Sequence, residues 1–404
     1  MKVLISTDFY INNLGGVTTS ILALCAGLRS QGHSVKVLTL SDHRESYRDG
    51  DDCFISSVPA YYAPDMRITL DLNDPLIDEL IQWRPDIIHV QSEASALLMA
   101  KKIQKECNVP LIMTCHTDYA YFVLGNLKNL PPVKTVSSDA GRLFYSSAFK
   151  IIVPSRKALN FPFLQAFRER MVVVPNGIEL EKHQKALSVE EKEDLRRALG
   201  IAKDRKILAA ITRISKEKNI QELIGYLPDL LKKVPDATLL IVGEGPYRKH
   251  LEDLAEELGV CDRIVFAGRI SAQDVWRYYA IADIFVSASV FEVHSMSYLE
   301  ALAQGLPLLC RQDEALDGVL EHGYNGFAYT SQDEFTDYAC RILKDDGLRK
   351  SLSSGSLRIV QRFSAQAFAA SALRVYEDTI REWHSETAQS GQPVSRLKAL
   401  LERL

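Results

Sequence analysis

Short apolar runs alternate along this chain with stretches of helical periodicity, and that alternation restricts the fold more than any other feature. Residues 3–6, 35–40, 86–90, 110–114, 149–153 and 172–174 form one series, and 207–211, 239–242, 264–266 and 283–287 form a second. Runs this uniformly apolar suit strands covered on both faces, as in parallel sheets joined by helices. The expected class is therefore α/β, with two Rossmann-like domains. Helical periodicity is read at about 17–30, 220–233, 272–281, 332–344 and 365–384. The expected division is a first domain over 1–178, a charged linker over 179–204, a second domain over 205–364 and a tail over 385–404.

At 404 residues there is length for two or three cores, and a net charge of −4 argues against a general nucleic-acid binder. The seven cysteines form no CxxC pair, which favours reduced thiols in a cytoplasmic protein over a disulfide framework or a zinc site. Asp8 interrupts the opening apolar run too early for a signal peptide, and no apolar run is long enough to span a bilayer. Any membrane contact is expected to be peripheral.

Ligands of open α/β sheets bind beyond the carboxyl ends of the strands, so the loops there hold the candidates. Gly15-Gly16 follows the first strand at a helix entrance, where exposed N–H groups suit a phosphate and where a plain tight turn is the alternative. His116 follows the strand at 110–114. After 207–211 come Arg213 and Lys218, flanking a helix start as a diphosphate clamp would. Gly243-Glu244-Gly245-Pro246 follows 239–242, and Gly268-Arg269 follows 264–266.

The stretch 287–307 reads as strand end, loop and helix, with Glu292 in the loop, Ser295 at the helix entrance and Glu300 inside the helix. Eight residues of helix would set two carboxylates about 12 Å apart at ~1.5 Å each. The carboxyl pair of a retaining hydrolase stands about 5 Å apart. Two separate jobs on one elongated ligand fit that spacing better than a hydrolytic pair, and by spacing alone an exposed loop glutamate with an ordinary solvated helix glutamate is the favoured alternative.

Taken in order, Gly15-Gly16-Val17, the run from Gln31 to Val37, His116, Pro175-Asn176-Gly177, Arg213 with Lys218, Gly243 to Pro246 and the Glu292/Glu300 pair resemble retaining glycosyltransferases of family four. The resemblance spans nearly the whole chain. It implies the GT-B fold, two Rossmann-like domains facing each other across a cleft, with the C-terminal helix at 365–384 crossing back to the first. It also implies a nucleotide-sugar donor in the second domain, UDP-glucose on family grounds, and no metal. Glu300 would hold the ribose hydroxyls and Glu292 the sugar hydroxyls. Arg213 and Lys218 would neutralise the diphosphate, and His116 would line the sugar pocket. Gly15, Gly16, Gly243, Arg269, Ser295 and Met296 complete the expected donor site. Where the family commonly has Phe-Gly-Leu, this chain has His294-Ser295-Met296, so His294 either contacts phosphate or packs.

For the acceptor, residues 116–119 and the segment after them are similar to bacterial enzymes that glucosylate diacylglycerol. Between 101 and 170 there are eleven Lys and Arg against four Asp and Glu, interleaved with aromatic residues. Such a surface suits anionic lipid headgroups, and a solvated face over core aromatics is the alternative. Asp118, Tyr119, Lys128 and Lys134 are the acceptor or membrane candidates, which makes the expected site of action the inner face of the cell membrane. A soluble acceptor, an epimerase of the same architecture and a non-catalytic nucleotide-sugar binder are the competing functions.

Overall fold

The computed structural model describes residues 1–10, 15–60, 63–117 and 141–390, and divides into two compact units. The first holds Met1–Gly177 together with Ala365–Leu404; the second is Ile178–Ser364.

In the first unit the strands are β1 (Lys2–Ser6), β2 (Ser34–Leu40), β3 (Tyr47–Asp49), β4 (Asp52–Ile55), a separate hairpin of β5 (Val58–Ala60) and β6 (Ala63–Ile68), then β7 (Ile87–Val90), β8 (Leu111–Thr114), β9 (Lys150–Val153) and β10 (Met171–Val173). The sheet runs β10-β9-β8-β7-β1-β2-β4-β3, parallel throughout except for β3, which pairs antiparallel with β4. β1 lies between β2 and β7, Val3 standing opposite both Val35 and Ile87, so the strand order reverses there. Helices α1 (Gly16–Ser30), α2 (Pro75–Trp83) and α3 (Ser95–Cys107) connect these strands.

The second unit contains α4 (Leu180–His183), α5 (Val189–Ala198), β11 (Lys206–Ile211), α6 (Ile220–Lys233), β12 (Ala237–Val242), α7 (Arg248–Glu257), β13 (Ile264–Gly268), α8 (Val275–Ala280), β14 (Ile284–Ser287), α9 (Met296–Ala303), β15 (Leu308–Arg311), β16 (Gly326–Tyr329), α10 (Gln332–Lys344) and α11 (Asp346–Ile359). Its order, β13-β12-β11-β14-β15-β16, is the doubly wound arrangement 3-2-1-4-5-6, entirely parallel, with a switch point between β11 and β14. Ile220, Leu223, Ile224, Leu227 and Leu230 of α6 fall on one helical stripe and cover one face of the sheet; Leu299 and Leu302 of α9 join the core on the other.

Helix α12 (Ala365–Ser390) belongs to the first unit and packs on α1. Gly27 permits this contact, because a side chain there would overlap the carbonyl of Ala365 and the Cβ of Ala369. The burial of Ala369, Ala372 and Tyr376 makes α12 part of that core.

The segment 179–204, expected as a linker, is instead part of the second unit. Leu180, Leu187 and Ile201 are buried in its core, spaced irregularly among charged residues, so no helical stripe announces them. A capping box, Ser188 with Glu191, starts α5. All seven cysteines are free.

Candidate active site

The switch point of the second unit collects the residues expected to bind a donor. From the carboxyl end of β11 the chain passes through Arg213 and Ser215 into a tight turn at Lys216–Lys218, then Asn219 at φ 52° starts α6. Asparagine tolerates that left-handed conformation. Its side-chain amide donates to Glu222 (2.9 Å) and to the carbonyl of Ala288 (3.3 Å), tying the Lys218 turn to the end of β14. Glu222 also accepts from Tyr329 (3.0 Å) and Arg311, which links the brace to β15 and β16.

Within this frame Lys218 Nζ donates to Glu292 Oε1 at 2.6 Å. A small cavity of about 10 Å³ lies beside the pair, lined also by Thr212, Ser287, Ser289 and Ser297. Burial pushes the Glu292 carboxyl up, yet the charge and hydrogen bond of Lys218, with the Ser289 and Ser295 hydroxyls, outweigh it and hold the pKa below the usual range. Glu292 is therefore an anion at neutral pH, and its attraction to Lys218 fixes both side chains.

Arg213 is more exposed and pairs with Glu217 (2.6 Å), which also accepts from Ser215 (2.6 Å). Both cations of the expected clamp thus sit on one loop, each holding a carboxylate.

Glu300 lies one helix further on, in α9. Its Oε2 accepts from the buried Tyr279 hydroxyl at 2.7 Å. Burial raises its pKa to about 7 and the Tyr279 bond only partly opposes that, so Glu300 is poised between acid and base at neutral pH. Tyr279 was not among the sequence candidates; it belongs to α8, and nothing in the spacing connects it with Glu300.

Ser295 occupies the N-cap position of α9 with extended backbone, but its side chain caps no amide and lies 3.0 Å from the Ser297 hydroxyl. Met296 is buried, which leaves its backbone as the part able to serve a ligand. His294 is buried too, its ring 5.4 Å from that of Phe363, and burial lowers its pKa to about 4.

Gly243 and Gly245 have a packing task. Gly243 lies at φ 140°, and a side chain on it would strike the carbonyl of Thr212; one on Gly245 would strike that of Ile214. The amide of Ile214 in turn donates to Glu244 (2.9 Å). The glycine turn thus seats the loop carrying Arg213. Arg269 is exposed at the end of β13.

In the first unit, Gly15 and Gly16 are exposed at the start of α1, and a side chain on Gly15 would meet open space. His116 follows β8 and donates from Nε2 to Gln91 Oε1 (2.7 Å). Gln91 Nε2 donates to His89 Nε2 (3.0 Å), so the His89 proton sits on Nδ1 and is donated to the Tyr376 hydroxyl (2.7 Å). Loss of hydration lowers the pKa of His89 to about 3, with the neighbouring His116 adding to the effect, and that of His116 to about 4. Neutral His116 keeps a lone pair on Nδ1. Asp118, Tyr119, Lys128 and Lys134 lie outside the described residues. Among the described residues no three His, Cys, Asp or Glu side chains are grouped to hold a metal ion.

The family description "Glycosyltransferase Family 4" matches residues 14–182, and "Glycosyl transferases group 1" matches 191–356. The chain is 32% identical over 331 residues to an alpha-monoglucosyldiacylglycerol synthase of Streptococcus pneumoniae, covering 81% of this chain and 75% of the relative. It is 26% identical over 391 residues to the protein of that name from Acholeplasma laidlawii, covering 94% and 98%. Among solved structures, Anabaena HepE in complex with UDP-glucose superposes with a TM-score of 0.70 at 21% identity, over 94% of this chain and 100% of that one. With these matches over both units, the chain is a member of glycosyltransferase family 4, a hexosyltransferase of the GT-B fold.

Proposed function

We propose that this enzyme moves a glucosyl group from UDP-glucose to diacylglycerol with retention, forming an α-glycoside. The observation that carries the reading is the Lys218–Glu292 pair at the β11/β14 switch point. It supplies a cation for a departing diphosphate beside an anion for sugar hydroxyls. The acceptor is supported by the two relatives named alpha-monoglucosyldiacylglycerol synthase and by the basic, aromatic segment at 101–170.

In the transfer, the bond from the anomeric carbon to the diphosphate oxygen breaks and a bond to the acceptor hydroxyl oxygen forms on the same face. The acceptor's proton passes to the leaving phosphate. Negative charge grows on the diphosphate as the sugar becomes oxocarbenium-like. Arg213, Lys218 and the first amides of α9 stabilise that charge, a task preorganised dipoles and cations perform without a metal. Glu300 accepts from the ribose hydroxyls and Glu292 from the sugar hydroxyls. Glu292, already engaged by Lys218, is not the nucleophile. His116, whose Nδ1 remains an acceptor, is assigned to the sugar.

No helix among the described residues is long and apolar enough to cross a membrane, and we read the enzyme as peripheral on the inner leaflet. The test is UDP release from UDP-glucose with and without diacylglycerol in anionic liposomes, in the presence of EDTA. Lipid-dependent release upholds the proposal. Release that instead requires a soluble sugar or thiol-precursor acceptor keeps the donor assignment and replaces the acceptor. A stable glucosyl adduct on Glu292 overturns the same-face mechanism.

A further inference from the structure

At the amino ends of β14 and β15, opposite the end that carries Lys218, the second unit has an open cavity of about 300 Å³. Its walls carry four cations, Lys185, Lys192, Arg349 and Lys350, against one acid, Asp283. In a chain with net charge −4 this is a local excess of positive charge. The acid is already engaged: Asp283 accepts from the amide of Ile207 at 2.8 Å and its other oxygen lies 3.9 Å from Arg349 Nε. Arg349 reaches Asp346 with Nη2 (2.8 Å), while its Nη1 is buried with no hydrogen-bond partner. Among the described residues none of the three lysines makes an ion pair. Buried guanidinium N–H groups left open are costly, and a forked donor beside several ammonium groups matches the oxygens of a phosphate.

The cavity is joined to the helix that carries Glu300. Tyr279 belongs to the cavity wall and donates to Glu300. Gln304, the C-cap of α9 and also in the wall, donates to the carbonyls of Lys185 (3.1 Å) and His183. An anion that draws Lys185 inward therefore pulls on a segment hydrogen-bonded to the end of α9.

We propose that this cavity is a second anion site, taking the phosphate group of a free phosphate or of a phospholipid headgroup, and that its occupancy is felt at Glu300. The binding stands by itself; the coupling rests on the reading of Glu300 as the ribose partner.

The experiment titrates the full-length enzyme with inorganic phosphate by calorimetry. It also follows emission of Trp276, the tryptophan of the second unit, over whose ring Lys185 Nζ lies at 5.7 Å. Two exposed lysines are altered together, as Lys185→Glu/Lys350→Glu and, more gently, as Lys185→Gln/Lys350→Gln, with unfolding midpoints as the folding control. Lys218→Ala serves as the comparison at the other end of the sheet. The expected result is saturable binding that weakens about tenfold or more in both double variants and persists in Lys218→Ala.

Flotation with phosphatidylglycerol vesicles then separates the sources. Flotation that falls in the double variants assigns the site to a headgroup, and unchanged flotation assigns it to a soluble phosphate. Phosphate affinity equal in the wild type and both folded double variants overturns the site. Unaltered UDP affinity at saturating phosphate, with UDP bound normally, overturns the coupling alone.

Discussion

Lys218 and Glu292, 74 positions apart in the chain, meet at 2.6 Å because β11 and β14 are neighbours in the sheet. The cation proposed for the leaving group and the anion proposed for the sugar are one ion pair before any substrate arrives. Removing Lys218 should therefore act on two levels. Lys218→Ala is expected to lower kcat by about 10²–10³-fold while changing the affinity for UDP less than about tenfold, because its charge matters most as the diphosphate departs. Glu292→Gln should lower kcat comparably but leave UDP affinity equal or higher, since Lys218 loses its competing carboxylate. Calorimetry with UDP beside steady-state UDP release separates the two, and equal losses in kcat and UDP affinity for Lys218→Ala would show a ground-state anchor only.

Glu300 makes stability and donor binding depend on pH in opposite senses. Its carboxyl is raised from 4.5 to about 7, so between those values the folded chain holds a proton that the unfolded chain has released. This group's contribution to stability therefore falls as pH rises through that window. Glu300→Gln removes the titration, and its unfolding midpoint should gain on the wild type between pH 5 and pH 8. Donor hydroxyls favour the carboxylate, so UDP-glucose binding near pH 7 should release a proton. Calorimetry in two buffers of different ionisation enthalpy measures that release, and Glu300→Gln should abolish it.

Buried histidines act on the acid side. His89 is held at about 3, and His116, His183 and His294 at about 4, chiefly by burial, with Lys182 and Lys185 adding to the effect at His183. Unfolding lets each take a proton near its ordinary 6.5, so stability is lost as pH falls below about 6.5. Urea midpoints at pH 7.5, 6 and 5 should drop progressively. His89→Asn should flatten the drop for the first unit and leave that of the second unchanged.

Gly245→Ala should be severe for a surface turn. Its Cβ would occupy the place of the Ile214 carbonyl, so the turn after β12 must shift or the Arg213 loop must move. The expected cost is about 2–4 kcal/mol with loss of transfer activity, read from denaturant midpoints and UDP release. Gly15→Ala, with nothing near the new methyl, should leave stability within about 0.5 kcal/mol.

The two series of apolar runs were enough to anticipate both parallel sheets, because a strand buried on both faces has to be apolar at every position. The strands β3 to β6 went unread; β3 and β5 have three residues each, too few to show a period, and Val58 and Pro59 are exposed. At the site, residue type and position singled out Lys218, Glu292 and Glu300, but not the partner of Glu300. Tyr279 looks like any core aromatic until the fold brings it to Glu300. The His116–Gln91–His89–Tyr376 chain draws on two strand ends and a helix 260 positions beyond His116, a separation no local pattern spans. His294 lies beside Phe363, a neighbour that its place in the loop does not announce.

The backbone leaves the first unit after Gly177 and returns at Ala365, and the amide of Ile178 donates to the carbonyl of Phe363 at 2.8 Å where the two crossings meet. During synthesis this reverses the usual order of maturation. The second unit is one uninterrupted segment and can complete its core while α12 is still inside the ribosome. The first unit, though made first, keeps the face of α1 around Gly27 uncovered until α12 arrives. A chain cut short at residue 364 and released from the ribosome should thus carry a finished second unit and an open first one, the state in which a holdase would find its hydrophobic target.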